Sequence, residues 1–250
     1  MSAVLSAETD YAVVVLSDCA AYNRDGVIMG IQSKIRVSEK VPLAVVSRGQ
    51  IGFGDTVSKA ILDLIEAYGF DQGIKHLAGM MEEFALWPDR GNKGDWLIAG
   101  MSETHGARHM TFQNFENSGW PALELRHPGQ MHAGIATGAE GEQTGLAATG
   151  CRKPYRGESP EEYFSETGVQ MFEHYRRIPW EPAKWGEPDR APQYLIGGRL
   201  EMAVVDAEGV RVRTLHTWPD RIGERINPPG GNVTPLNRQQ RRSAEWGLRA

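Results

Sequence analysis

The sequence predicts an α+β protein in which two mostly antiparallel sheets pack face to face and helices cover both outer faces. Three observations support this fold class. Short runs of branched aliphatic residues fill most of the first fifty positions, two amphipathic helices follow, and strands return before and after a third helix. This order differs from the regular strand-helix alternation of a parallel, doubly wound sheet. A chain of 250 residues is long enough to bury such a core.

The N-terminal strands are short apolar runs separated by polar turns. Residues 3–7 and 12–16 flank the turn Glu8-Thr9-Asp10 and predict a hairpin. A second turn at 22–26 is followed by further runs that predict strands at 27–31, 33–37 and 42–46. Up to five strands therefore precede the first helix.

Two amphipathic helices are predicted next. Apolar residues recur at helical spacing over 57–68, with Asp55 and Thr56 as candidate N-caps. The same spacing resumes over 74–84, after a break at residues 69–71. The two helices are therefore expected to be neighbours along the chain.

The second half of the chain predicts strands around one more helix. Strand-like runs lie at 96–101, 108–114, 122–126 and 131–138. Ser159-Pro160-Glu161-Glu162 is a capping box with proline at the first helical position, and the apolar stripe of the helix it opens extends to Tyr175. A closing hairpin is predicted from the runs 194–198, 199–205 and 210–218, with its turn at 206–209.

Composition and charge limit the classes of partner. The net charge of -5 and the absence of any apolar run of about 18–20 residues predict a soluble, cytoplasmic protein without a membrane partner. We expect one domain over 1–226 and a basic C-terminal tail over 227–250, which offers the one candidate surface for nucleic acid. Cys19 and Cys151 are expected to be reduced thiols.

Three polar residues near the N-terminus stand at equal spacing. Sixteen positions separate Ser2 from Asp18, and sixteen more separate Asp18 from Lys34. This spacing and the flanking text VVVLSDCAAYNRDGVIMGIQSKI resemble the proteasome-type members of the N-terminal-nucleophile hydrolases. In that family the mature chain begins with the nucleophile, normally Thr, and an Asp and a Lys follow at these intervals.

The resemblance extends, in order, to about residue 218. RGQIGFGD is similar to the family's Gly-rich turn, in which Gly49 would supply an oxyanion-hole amide, and IATG places Thr137 where the family has a hydroxyl residue. Gln193 and Ile196 stand where the family has a supporting Asp and Ser. The resemblance implies the family's four-layer αββα sandwich, which agrees with the layers predicted from periodicity.

The chemistry that the resemblance implies depends on a free N-terminus. If Met1 is removed, the α-amino group of Ser2, with an ordinary pKa of about 7.7–8.0, can accept the hydroxyl proton. Lys34 would then lower the pKa of the amine by like-charge repulsion, and Asp18 would keep Lys34 charged and oriented. The function implied is hydrolysis of a peptide or other amide bond, and Met1 removal is expected because Ser2 is small.

A second interpretation stays open, in which Asp18 and Lys34 form a fold-retaining ion pair in a catalytically inactive protein. The basic ending LNRQQRR resembles the endings of tailed-phage and prophage proteins, so this alternative is a structural or assembly protein, possible in a virion. A homo-oligomer is expected for either interpretation, because proteasome-type chains assemble into rings.

Other motifs predict structure rather than chemistry. The glycines at 49, 52 and 54 predict a tight turn before a helix, because the GxGxxG spacing and the Lys-Ser/Thr pair of phosphate loops are missing. His105 and His109 are expected to be surface histidines, and Cys19 a small buried residue. The sequence predicts no cofactor and no metal site.

Overall fold

The structure is a computed structural model that describes residues 2–84, 92–116, 121–135, 145–181, 189 and 191–228. Its strands are β1 (Ala3–Glu8), β2 (Ala12–Asp18), β3 (Ala20–Tyr22), β4 (Ile28–Ile31), β5 (Ile35–Val37), β6 (Leu43–Gly49), β7 (Gly94–Ser102), β8 (Gly106–Gln113), β9 (Met131–Ile135), β10 (Arg199–Asp206) and β11 (Gly209–Thr217). Its helices are α1 (Ile51–Tyr68), α2 (Phe70–Phe84) and α3 (Pro160–Arg176), with a 3-10 turn at Leu146–Thr149.

The strands form antiparallel sheets. Sheet 1 has the strand order β11-β10-β2-β1-β9, sheet 2 has the order β5-β6-β7-β8, and β3 pairs with β4. In the centre of sheet 1, β1 and β2 run antiparallel with Val4 opposite Ser17. This register brings the start of β1 beside the end of β2, where two of the polar residues singled out above lie.

Alternation along β2 explains how sheet 1 buries both faces. Val14 and Leu16 pack into an apolar cluster with the inner face of α3. Val13 and Val15 point to the opposite face and join a cluster with residues of β6 and β7 in sheet 2. Since successive side chains of a strand point to opposite faces, a continuous apolar run indicates a sheet that is covered on both sides.

Sheet 2 follows the same rule. Ala44 and Val46 of β6 face sheet 1, whereas Leu43 and Val45 pack against α1 and α2. Burial of each such Val or Leu side chain contributes about 1.5–3 kcal/mol relative to exposure. The described residues therefore form a mixed α+β protein with antiparallel sheets, compatible with a sandwich, and the predicted α+β class is confirmed.

Several predicted elements differ in detail. Helix α1 begins at Ile51 after Gln50, and Asp55 lies inside it and pairs with Arg36 at 2.8 Å. The apolar run 122–126 is no strand and contributes an isolated bridge from Arg126 to Thr111, while 194–198 is irregular chain before β10. The apolar content of both runs is used for packing, which periodicity alone does not distinguish from strand pairing.

The third helix begins where its sequence predicts. Ser159 accepts a hydrogen bond from the Glu162 amide, and the Glu162 carboxylate accepts one from the Ser159 amide. This reciprocal pair satisfies two N–H groups that the first turn would leave without partners. The capping box is therefore confirmed.

Two predictions lie wholly or almost wholly outside the described residues. These are the role of Thr137 and the basic tail over 227–250, of which residues 227 and 228 are described. None of the helices in the described ranges is both long and apolar enough to cross a membrane.

Candidate functional site

The fold brings Ser2, Asp18 and Lys34 together at one end of sheet 1. Ser2 directly precedes β1, Asp18 is the last residue of β2, and Lys34 directly precedes β5. Because β1 and β2 are antiparallel neighbours, the pairing of these two strands alone places Ser2 beside Asp18. Lys34 reaches the same place from sheet 2.

Lys34 is the hub of the site. Its Nζ donates a hydrogen bond to Ser2 Oγ, and it lies 3.0 Å from Asp18 Oδ2. The Lys34 side chain is 11% exposed and that of Asp18 is fully buried. An ion pair removed from water in this way must have its remaining hydrogen-bonding capacity satisfied to be tolerated.

Backbone amides meet that requirement for Asp18. Its Oδ1 accepts from the Ala3 amide at 3.0 Å, and its Oδ2 accepts from the amides of Ala20 at 3.3 Å and Gly197 at 3.2 Å. The carboxylate thus joins the starts of β1 and β3 to the segment before β10. It fixes the position of Lys34 as well as compensating its charge.

Arg48 is a site residue that the sequence analysis missed. Its guanidinium forms a two-pronged ion pair with Asp95, at 2.6 and 2.7 Å, and its Nη1 donates to the Ser2 carbonyl at 3.2 Å. Gly134 of β9 leaves room for it, since a Cβ there would lie 2.8 Å from Arg48 Cζ. The available signal was an arginine at the end of a mostly apolar strand, directly before Gly49.

Gly49 lies beside Ser2 in a conformation that suits glycine. Its φ is +124°, and a Cβ would lie 2.2 Å from the Lys93 carbonyl oxygen. Gly49, Ser2 and Lys34 line one small cavity of about 20 Å³. That volume is close to the space of a single water molecule.

Tyr22 is a second residue that the sequence did not indicate. Burial, together with the nearby Asp18 carboxylate, holds the pKa of its phenol well above the usual range. Its hydroxyl is buried and makes no hydrogen bond of good geometry with any described group. Tyr22 is therefore a neutral phenol close to the polar groups of the site.

The supporting positions at 193 and 196 have other partners. Gln193 exchanges backbone hydrogen bonds with Trp180, and its side chain donates to the Arg24 carbonyl at 3.1 Å. Ile196 is buried in the cluster beneath α3. Neither residue contacts Ser2, and in this segment the backbone N–H of Gly197 supports Asp18 instead.

The remaining candidates, Cys19, His105 and His109, have structural roles, and the prediction for one of them was wrong. Burial raises the pKa of the Cys19 thiol, and the Glu201 and Asp18 charges add to this effect, so Cys19 is a buried, inert residue as predicted. His105 is exposed, but the expectation of a surface position was wrong for His109, which is fully buried. The alternation of β8 turns His109 toward sheet 1.

The site contains a hydroxyl, an ammonium and a carboxylate in direct contact, which is an arrangement able to hold and activate a nucleophile.

No protein-family model matches the chain, and no curated protein matches it.

Proposed function

We propose that this protein is a proteasome-like N-terminal-nucleophile hydrolase that cleaves a peptide or other amide bond. Removal of Met1 would make Ser2 the first residue, so that one residue provides both the nucleophilic hydroxyl and the base. The observation that carries the proposal is the hydrogen bond from Lys34 Nζ to Ser2 Oγ, with Asp18 holding Lys34 from behind at 3.0 Å.

The proposed reaction proceeds in two halves. The α-amine of Ser2 takes the Oγ proton as Oγ attacks the amide carbonyl carbon, and the resulting ammonium returns that proton to the leaving nitrogen as the C–N bond breaks. Water then attacks the ester carbonyl carbon while the amine accepts a proton from it, and the resulting ammonium returns that proton to Oγ as the C–Oγ bond breaks and the carboxylic acid leaves. Lys34 favours the neutral, basic form of the amine because two adjacent positive charges repel each other.

Gly49 would stabilise the oxyanion. Gly94 of β7 lies opposite Gly49, and both of its backbone polar groups bond to Asn114. The Gly94 amide donates to the Asn114 side-chain oxygen at 2.8 Å, and the Gly94 carbonyl accepts from the Asn114 amide at 3.1 Å. In the antiparallel ladder this makes Gly49–Gly94 a pair without mutual hydrogen bonds, so the Gly49 N–H points away from β7. One such donor contributes about 3–4 kcal/mol to transition-state binding in well-studied hydrolases.

The packing order supports the four-layer αββα arrangement that this proposal requires. One apolar cluster lies between α3 and sheet 1, a second between the sheets, and a third between sheet 2 and the pair α1 and α2. The Ser2 site then lies at the edge of the sandwich, where strands of both sheets end.

A second candidate function is an inactive structural or assembly protein of the same fold, such as a component of a phage particle. The specific observation in its favour is the surroundings of Ser2, which is 3% exposed and adjoins a cavity of about 20 Å³. Gln193 and Ile196 also provide no acid or hydroxyl at the site. In that case Asp18 and Lys34 serve stability alone.

Intact mass and activity together test the proposal. We expect the purified protein to lack Met1 and to hydrolyse members of a fluorogenic peptide-amide panel. Ser2→Ala should reduce the rate by at least about 10³-fold, and Lys34→Ala should reduce it nearly as much. Cys19→Ala is the matched control, since Cys19 adjoins Asp18 but contributes no nucleophile, and it should retain activity.

The contrary result is equally clear. The enzyme proposal is wrong if the protein retains Met1 quantitatively and forms no adduct with an electrophile that requires a hydroxyl and a free amine on one residue. That result would favour the structural candidate. Circular dichroism of each variant shows that activity is compared between folded proteins.

A further inference from the structure

A second polar cluster lies at the opposite end of β1. Ser2, Val4, Ser6 and Glu8 share one face of this strand, since side chains alternate along it. At about 3.3 Å per residue, Glu8 lies roughly 20 Å along the strand from Ser2. The cluster at Glu8 is therefore spatially separate from the Ser2 site.

We propose that Glu8, His109 and His127 form a binding site for a divalent transition-metal ion, with Zn²⁺ as the best fit. One ligand atom from each residue lies within 4.8 Å of the other two. His109 belongs to β8 of sheet 2 and Glu8 to β1 of sheet 1, so the ion would join the two sheets.

The separations match those of zinc ligands. His127 Nε2 lies 3.0 Å from the Glu8 oxygens, and His109 Nε2 lies 3.8 Å from Glu8 Oε2. Ligands at roughly 2.0–2.1 Å from a tetrahedral ion are about 3.3 Å apart, which falls between these distances. The carbonyl oxygen of Gly129 accepts a hydrogen bond from His109 Nε2 at 2.5 Å, and once the ion replaces this proton it can serve as the fourth ligand and the second oxygen.

The hydrogen-bond pattern favours a cation at this point. His127 Nε2 faces the two Glu8 oxygens, which accept, and also Arg108 Nη1 at 3.3 Å, which donates. Arg108 Nη1 also donates to Glu8 Oε1 at 2.7 Å, so two nitrogen donors converge on one carboxylate. A metal ion can take the place of these donors, because it receives lone pairs from the imidazole and from the carboxylate.

Ser6 completes the surroundings of His109. Its hydroxyl lies 2.8 Å from His109 Nδ1, the ring nitrogen that faces away from Glu8. With an ion on Nε2, Nδ1 carries the proton and donates to Ser6 Oγ. Histidine ligands are commonly oriented in this manner by a hydrogen bond to the other ring nitrogen.

Arg108 occupies the cation position in the present structure. Its Nη1 lies 2.7 Å from Glu8 Oε1, and its side chain is about one third exposed at 32%. Arg108 and His127 line an open cavity of about 520 Å³ that also contains Asp71. Metal binding displaces the guanidinium into this cavity, where Asp71 offers a carboxylate.

Titration of chelator-treated protein with ZnCl₂, by calorimetry, tests the site. We expect one equivalent to bind, His127→Gln to weaken binding by at least about 10-fold, and Arg108→Gln to strengthen it by removing the competing cation. His105→Gln is the matched control, because His105 lines the same cavity without joining the cluster, and it should bind as the wild type does. Co²⁺ in place of Zn²⁺ should show visible absorption of a four-coordinate ion that His127→Gln abolishes.

Two results would overturn the proposal: absence of binding even in Arg108→Gln, or equal binding by the wild type and His127→Gln. His127 is 37% exposed, so its replacement is compatible with folding, which melting curves in chelator verify. The proposal is independent of hydrolysis at Ser2, and we expect chelator treatment to leave reactivity at Ser2 unchanged.

Discussion

At the scale of single residues, Asp18 and Lys34 form one ion pair but have unequal surroundings. Asp18 holds three backbone N–H donors in addition to Lys34 and is fully buried. Lys34 is partly exposed and its partners are side chains. Loss of the carboxylate therefore leaves more hydrogen-bonding groups without a partner than loss of the ammonium does.

This asymmetry predicts unequal effects on stability. Asp18→Asn places an amide NH₂ against N–H donors and removes the partner of Lys34, so the free energy of unfolding should fall by about 3–5 kcal/mol. Lys34→Met leaves the three N–H donors in place and should cost about 1–3 kcal/mol. Urea denaturation of both variants measures the difference, and an equal or reversed order would show that the backbone amides do not anchor Asp18.

Sequence reasoning found the residues that spacing connects and missed those that only the fold connects. Ser2, Asp18 and Lys34 could be singled out because their fixed intervals in the sequence resemble the pattern of a known family. Arg48 and Tyr22 could not, since a single polar residue in a strand gives no sign of which partner it meets. The cluster joins Glu8 to residues 109 and 127, more than a hundred positions away along the chain, and only the packing of sheet 1 against sheet 2 brings these residues together.

At the scale of elements, the turn from β6 to α1 forms one side of the small cavity at Ser2. The chain leaves the strand at Gly49 with positive φ and enters the helix at Ile51, one residue after Gln50. Apolar periodicity placed the start of this helix too late, because in its first turn Ile51 and Phe53 alternate with Gly52 and Gly54 and so lack the helical spacing. The helix as a whole was predictable from the stripe that packs on sheet 2.

Two glycines of this turn should respond oppositely to alanine. Gly49→Ala forces a Cβ against the Lys93 carbonyl oxygen at 2.2 Å and requires φ of +124°, so it should lower the free energy of unfolding by about 2 kcal/mol or more. Gly52→Ala has no atom within 4 Å of the new Cβ and lies in α1, where alanine favours the helix by up to about 1 kcal/mol. Thermal melting compares the two. Equal behaviour of the variants would contradict the positions assigned to these residues.

At the scale of the whole molecule, polar groups between the sheets accompany a mostly apolar core. His109 is buried between sheets 1 and 2, and His132 of β9 is partly buried near the Arg48–Asp95 pair. Burial lowers the pKa of His109 against the opposing effects of the Gly129 carbonyl and the Glu8 carboxylate, and the neighbouring His127 and Arg108 add smaller lowering effects. Burial and the Arg48 charge lower the pKa of His132 to about 4, against an opposing effect of Asp95.

Lowered histidine pKa values make the folded state sensitive to acid. Above the unfolded pKa of about 6.5 both states are neutral, and these histidines impose no penalty on folding. As the pH falls below that value, the unfolded chain binds protons that the folded chain refuses until about pH 4 at His132. The free energy of unfolding should therefore decline between about pH 6.5 and 4, by up to about 1.4 kcal/mol per pH unit for each such histidine.

Replacement of His132 isolates its share of this decline. In His132→Gln, measured by urea denaturation with a chelator present, the slope of stability against pH should be smaller than in the wild type by up to about one proton. The exposed His105 is the matched control, and His105→Gln should leave the slope unchanged. Parallel curves for the wild type and His132→Gln would mean that His132 is protonated equally in both states and that folding does not lower its pKa.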